Sequence, residues 1–236
     1  MNQKKFERAI RSYWEVRTGQ QQRQIDSGKV DAGSRGAVTG GAHMDQMAAL
    51  MEEVFIDAGF PRKSIRRSSA VELPGYFRPE KKWDLVVLHR GSLAAAIEFK
   101  SQVGPSFGNN YNNRTEEAIG SATDVWTAYR EGRFGTTRPW LGYLFLLEEA
   151  PKSTKPVRVR EPFFKVDPVF KDASYKRRYE LFCRRLLLER LYDAVCFVTS
   201  SAKPNSPIHE PADDLTFMAF MAAIRARAAF LLALER

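Results

Sequence analysis

Residues 83–102, Trp83-Asp84-Leu85-Val86-Val87-Leu88-His89-Arg90-Gly91-Ser92-Leu93-Ala94-Ala95-Ala96-Ile97-Glu98-Phe99-Lys100-Ser101-Gln102, read as two strands around a turn. Trp83 to Leu88 is a strand-like run, His89 to Ser92 is the turn, and the apolar run from Leu93 to Ile97 carries a second strand back to Glu98. An antiparallel hairpin centred near Arg90 and Gly91 sets Asp84 roughly opposite Glu98. Strand side chains alternate, so Glu98, Lys100 and Gln102 share one face while Ile97, Phe99 and Ser101 share the other. Two carboxylates and a lysine therefore converge at the end of a buried strand. Burying such charges is costly unless each has a partner, and the usual partners at such a place are a metal ion and a phosphate. A second acid-lysine string, Glu80-Lys81-Lys82, follows Pro79 with no apolar run before it, and reads as a solvated loop.

Working outward, 236 residues with 44% apolar side chains suffice for a sizeable core. The 37 Lys and Arg exceed the 28 Asp and Glu by 9, giving a pI near 9.6 and a preference for polyanions. Cys183 and Cys196, both in apolar surroundings, read as reduced core residues, and no cysteine and histidine spacing suggests zinc. Met1 to Arg11 lacks the apolar core of a signal peptide, and the C-terminal apolar run is interrupted by Arg225 and Arg227. A bacterial-type cytoplasmic protein with no membrane association is expected.

Helical spacing is present over residues 3–17 and again from Asp45 to Ala58, where Gly59-Phe60-Pro61 stops the helix. Between them five glycines from Gly28 to Gly41 describe a long loop, in which Arg35 could meet phosphate or simply belong to a linker. Glu53, or Glu52 beside it, is a candidate third carboxylate; for each the alternative is a solvated glutamate. Ile65 to Leu73 reads as a strand. After Gln102, Asn109, Asn110, Asn112, Asn113 and Arg114 form a polar loop around Tyr111. Asparagine pairs bidentately with adenine and arginine with guanine, which makes these residues candidate DNA contacts. Capping of the following helix, Thr115 to Tyr129 with Ala118, Ile119, Ala122, Val125 and Trp126 packed, explains Asn113 alone.

Pro139 to Leu147 suits a central strand covered on both faces, and residues 149–172, with four prolines, form a surface insertion. Tyr175 to Leu191 is a basic helix whose charges either track a phosphate backbone or are solvated. Ala194 to Thr199 is a last strand. Asp213 and Asp214 suit the start of a final helix that is apolar nearly all round, either deeply buried or half of a dimer contact. These elements predict one α/β domain over 1–236: an N-terminal helix and glycine-rich loop (1–42), a core on a mixed sheet (43–200) and a C-terminal helix (201–236).

The charges at the strand end fit phosphodiester hydrolysis. Asp84 and Glu98 would hold Mg²⁺, with the Phe99 carbonyl oxygen able to join them, and Lys100 would orient or help deprotonate the attacking water. Gln102, on the same face, and Glu53 are further catalytic candidates.

Asp84, thirteen residues and then Glu98-Phe99-Lys100 resembles the PD-(D/E)xK nuclease signature, with Trp83 at the position of the family's proline. More specifically, Glu98 to Ala122, EFKSQVGPSFGNNYNNRTEEAIGSA, is similar to the type II restriction endonucleases of the XhoI family, as are Arg35 to Asp45 and Ala173 to Leu191. The resemblance implies a restriction-endonuclease-like core and a Mg²⁺-dependent homodimer that cuts both strands of duplex DNA at a six-base palindrome. For the family's best-known members that palindrome is CTCGAG, cut after the first cytosine to leave 5′ overhangs. It also implies a cognate DNA methyltransferase in the host, not bound as a subunit. The catalytic residues carried over by position are Asp84, Glu98 and Lys100. A repair or recombination nuclease would show the same three residues, and a catalytically silent DNA-binding module is the rival from another class.

The net charge predicts duplex-DNA affinity that falls steeply with added salt in anisotropy titrations; a flat response would remove the argument from charge.

Overall fold

The computed structural model describes residues 2–26 and 44–234; the glycine-rich stretch with Arg35 lies outside them. Helix α1 (Asn2–Asp26) and helix α2 (Asp45–Asp57) precede strand β1 (Ile65–Arg67). Strands β2 (Glu72–Pro74), β3 (Glu80–Lys82), β4 (Leu85–His89) and β5 (Ser92–Gln102) lead to helix α3 (Phe107–Arg130). Strand β6 (Leu141–Glu148), the short helix α4 (Pro151–Thr154), helix α5 (Tyr175–Leu188), strand β7 (Ala194–Ser200) and helix α6 (Phe217–Ala233) complete the order.

The main sheet runs β1-β4-β5-β6-β7, and β2 and β3 pair separately. β1, β4 and β5 are antiparallel neighbours, whereas β5-β6 and β6-β7 are parallel, so the sheet is mixed, as expected. The β4-β5 turn is the two-residue Arg90-Gly91, both with positive φ (48° and 77°), the mirror-image turn whose twist matches a hairpin. Each parallel connection contains a helix, α3 or α5, as a crossover requires.

Alternation along the strands feeds two cores. Leu85, Val87, Ile97, Phe99, Leu144, Leu146, Cys196 and Val198 pack with α1, α2 and α6 on one face. Val86, Ala96, Tyr143, Phe145, Leu147, Val195 and Phe197 pack with α3 and α5 on the other. β6 is buried throughout but for its last residue, which fits the continuous apolar run of a strand covered on both faces. Both cysteines are buried and free. Among the described residues no helix is long and apolar enough to cross a membrane.

Several boundaries differ from the expectations. The strand predicted over Ile65 to Leu73 is two short ones, separated where Ser68 and Ala70 take positive φ (68° and 53°). α3 begins eight residues early, so the asparagine run is helical, and Ile119 is exposed rather than packed. α6 begins after the two aspartates: Thr216 caps it by accepting from the Ala219 amide, while Asp214 pairs with Arg184. α6 itself buries Phe217, Phe220, Met221, Ile224, Ala228 and Leu231 and leaves Met218 and Phe230 half exposed, so it is buried along one face only. The basic charges of α5 are largely paired within the chain, Lys176 with Glu149, Arg177 and Arg184 with Glu180, and Arg185 with Asp167. The pairs to Glu149 and Asp167 tie the 149–172 excursion to α5, those to Glu180 stay within the helix, and together they disfavour a free basic track along it.

Gly142, on β6, lets α6 approach the sheet: an added Cβ would lie 2.8 Å from the Phe220 ring and 2.8 Å from the Trp140 ring. Gly142→Ala is expected to cost about 1–3 kcal/mol through overpacking, read as a lower urea midpoint; an unchanged midpoint would show that the two rings yield freely.

Candidate active site

β5 is longer than β4, and its register places Leu85 opposite Ile97, so the next pair outward is Asp84 and Glu98. β4 begins only at Leu85; just before it the Asp84 side chain stands in for a ladder partner, and the Phe99 amide donates to Asp84 Oδ2 at 2.7 Å. From Phe99 onward β5 is paired only with β6 in the main sheet, so this half of the strand has no ladder partner on the β4 side. The predicted facing is observed, with Glu98, Lys100 and Gln102 toward α3 and α5 and with Ile97 and Phe99 in the opposite core.

Glu98 is 1% exposed. Lys100 Nζ lies 2.7 Å from its Oε1, and its Oε2 faces the Tyr192 hydroxyl at 3.4 Å; the single proton of that hydroxyl is shared with the nearer Ala118 carbonyl at 3.1 Å. Lys81 Nζ donates to the same Oε1 at 3.0 Å. The Glu80-Lys81-Lys82 string is thus no solvated loop but strand β3, and one of its lysines belongs to the site. Its ammonium lies over the buried ring of Trp83, 4.3 Å from the centroid, as well as against Glu98. Asp124 on α3 fixes the hairpin that carries it, accepting from the amides of Tyr76 (2.7 Å) and Phe77 (2.9 Å) and from Arg78 Nε (2.6 Å).

Burial works to raise the Glu98 carboxyl, but Lys100 and Lys81 outweigh it and hold the group below its ordinary range. For Asp84 burial wins, and its carboxyl lies above the usual range despite the Phe99 amide and the lysines. Burial would deprotonate Lys100, yet Glu98, then Asp84, raise it instead, so it is an ammonium ion at neutral pH. The arrangement offers two hard oxygen donors of opposite titration tendency and two ammonium donors. Two carboxylates on adjacent strands suit Mg²⁺, which keeps several waters and takes few protein ligands. Among the described residues no cluster of three or more His, Cys, Asp or Glu is present.

The remaining predicted residues divide. Gln102 is buried with both ends of its amide engaged: Nε2 donates to the Phe107 carbonyl at 3.0 Å, and Oε1 accepts from the Tyr179 hydroxyl. It is a brace between β5, α3 and α5. Glu53 pairs with Lys5 of α1 at 2.6 Å and is not brought to the cluster. Glu52 is buried rather than solvated, held by Arg62 and Arg67 at 2.7 and 2.6 Å. Asn109, Asn112 and Asn113 are exposed on the first turns of α3, with Asn110 partly so. Arg114 pairs with Glu117 at 2.5 Å, and Glu117 lies 3.9 Å from Lys100, which links this helix to the cluster. A cavity of about 520 Å³ between α1 and the loop after β7 contains none of these residues.

Sequence comparison agrees with this geometry. The chain matches the family model "Restriction endonuclease XhoI" over residues 23–210. It is 52% identical over 203 residues to the type II restriction enzyme BstVI of Geobacillus stearothermophilus, covering 83% of this chain and 90% of that protein. It is 44% identical over 183 residues to the type II restriction enzyme XhoI of Xanthomonas vasicola, covering 76% and 73%. To the type II restriction enzyme AbrI of Azospirillum brasilense it is 47% identical over 165 residues, covering 69% and 74%. No solved structure matches the chain at a comparable level of significance.

The depressed Glu98 carboxyl contributes stability that is complete above the ordinary glutamate range and is lost as pH falls through the depressed value. Glu98→Gln should therefore lower the unfolding free energy at pH 7 by up to about 3 kcal/mol, because it leaves two lysines without their shared partner. Urea denaturation should show that difference shrinking in acid; a constant difference across pH would contradict the ion-pair account.

Proposed function

The chain belongs to the XhoI family of restriction endonucleases and is a type II site-specific deoxyribonuclease; from that premise we propose that it cleaves both strands of duplex DNA at the palindrome CTCGAG, after the first cytosine, as a Mg²⁺-dependent homodimer. The observation that carries the catalytic reading is the cluster of Asp84, Glu98 and Lys100 just before β4 begins, where β5 continues past it. A palindrome presents each strand with the same surroundings, so two copies related by a two-fold axis supply one such cluster per strand. The proposed sequence, cut position and dimer rest on the family resemblance of residues 98–122.

Asp84 and Glu98 would hold the metal, with the Phe99 carbonyl oxygen beside them. When bound, the ion supplies a water of lowered pKa and stabilises charge on the scissile phosphate. Asp84, whose carboxyl burial holds above the usual range, gains most from a nearby cation. Lys100 keeps its proton, so its role is to donate to the phosphate or to the attacking water and to offset negative charge in the transition state, rather than to act as base. Asn109, Asn112 and Asn113 offer donor-acceptor pairs on one exposed helical face, suited to base edges in a major groove. Asn110 and Arg114 lie on the stripe of α3 that leads back to Glu117 and Lys100. Arg35 remains a candidate phosphate contact outside the described residues. A bacterial host would need a matching methyltransferase to protect its own sites.

Digestion of a plasmid of known sequence, followed by run-off sequencing of the ends, tests this reading. Discrete fragments ending within CTCGAG are expected, and Lys100→Ala should abolish cleavage while Ca²⁺-supported binding to the same site persists. Smears or structure-dependent nicks would turn the assignment toward a repair nuclease, and near wild-type cleavage by Lys100→Ala would exclude the role given to that lysine.

A further inference from the structure

Glu98 Oε1 already receives two ammonium donors, Lys100 at 2.7 Å and Lys81 at 3.0 Å, while Oε2 is turned toward the interior and the Tyr192 hydroxyl. A carboxylate oxygen has about two lone-pair sites. A cation approaching Glu98 on the side of the two lysines therefore finds that oxygen saturated. Charge leads to the same place. Two carboxylates and two ammoniums balance in the ion-free cluster; a divalent cation with one phosphodiester adds a net positive charge, which departure of one lysine removes.

The two lysines are not equivalent. Lys100 stands on the central strand of the main sheet, is drawn also by Asp84, and has Glu117 within 3.9 Å. Lys81 belongs to a separate two-stranded hairpin, and its ammonium has other places to rest, the Trp83 ring at 4.3 Å and the Lys82 carbonyl at 3.3 Å. Resting on the metal-dependent reading above, we infer that Lys81 occupies the cation's side of Glu98 in the ion-free protein and is displaced when the cation binds. Lys81 is thus a positioning residue and a built-in competitor for the metal, keeping the acidic pair neutral until DNA and metal arrive together.

Titration of the full chain with Mn²⁺ in the absence of DNA, followed by the paramagnetic signal of the free ion, separates the outcomes. Lys81→Gln should bind Mn²⁺ at least about ten-fold tighter than wild type, since a unit positive charge a few ångströms from the site is removed. Lys81→Met, which keeps an unbranched side chain of similar length without the charge, should do the same, and Lys81→Arg should stay near wild type. Equal or weaker Mn²⁺ binding by both neutral variants, folded by circular dichroism, overturns the inference. So does unchanged Mn²⁺ affinity with a loss of DNA affinity, which would make Lys81 a phosphate contact. Absence of Mn²⁺ binding by wild type and variants alike, with and without DNA, overturns the metal-dependent reading itself and the inference with it.

Discussion

A carboxylate withdrawn almost wholly from water must be balanced on the spot, and the second face of this molecule is arranged around that requirement. Glu98 sits on the middle strand with Tyr192 beneath it and two ammonium groups above it. Desolvating an isolated carboxylate costs several kcal/mol. Two elements of quite different sequence position meet that cost, β5 through Lys100 and the β2-β3 hairpin through Lys81. The hairpin has no ladder to the main sheet. What holds it against the sheet is Trp83 in the core, the Asp124 clamp at its tip and the ion pair at its other end.

The neighbouring carboxylate shows how differently one environment treats two acids. Asp84 accepts a backbone amide and stands opposite Glu98, yet among the described residues no lysine pairs with it directly, and burial holds its carboxyl above the usual range. A pair of acids pulled apart in this way is a common property of hydrolytic centres. Lys100, shared electrostatically by both, is held charged, which limits it to donating hydrogen bonds.

Much of the sheet was legible because period-two alternation and the Arg90-Gly91 turn are local signals. They fixed the facing of Glu98, Lys100 and Gln102 and the pairing of Asp84 with Glu98. Lys81 was not legible, because Glu80-Lys81-Lys82 by itself does not differ from a solvated charge run; its role arises from the β2-β3 pairing that brings its ammonium to Glu98 and the Trp83 ring. The asparagine run was mistaken for a loop since asparagine is a weak helix former, at most about 0.7 kcal/mol below alanine per residue. Phe107 and Tyr111, one helical turn apart and packed on Tyr175 and Tyr179, outweigh that preference. Gln102 lay on the predicted face but found a tyrosine and a carbonyl instead of a reacting group, which only the position of α5 decides.

Helix α3 is tethered to the charged cluster in three places. Its first turn is bonded to Gln102 on β5, its third turn brings Glu117 near Lys100, and Asp124 further along grips the hairpin that bears Lys81. The exposed asparagines ride on that same rigid rod. Helix α3 thus contacts, directly or through one residue, both of the elements that bring a lysine to Glu98. On the proposed reading, in which these asparagines meet DNA, the helix that would carry the recognition residues is the one that braces the catalytic cluster.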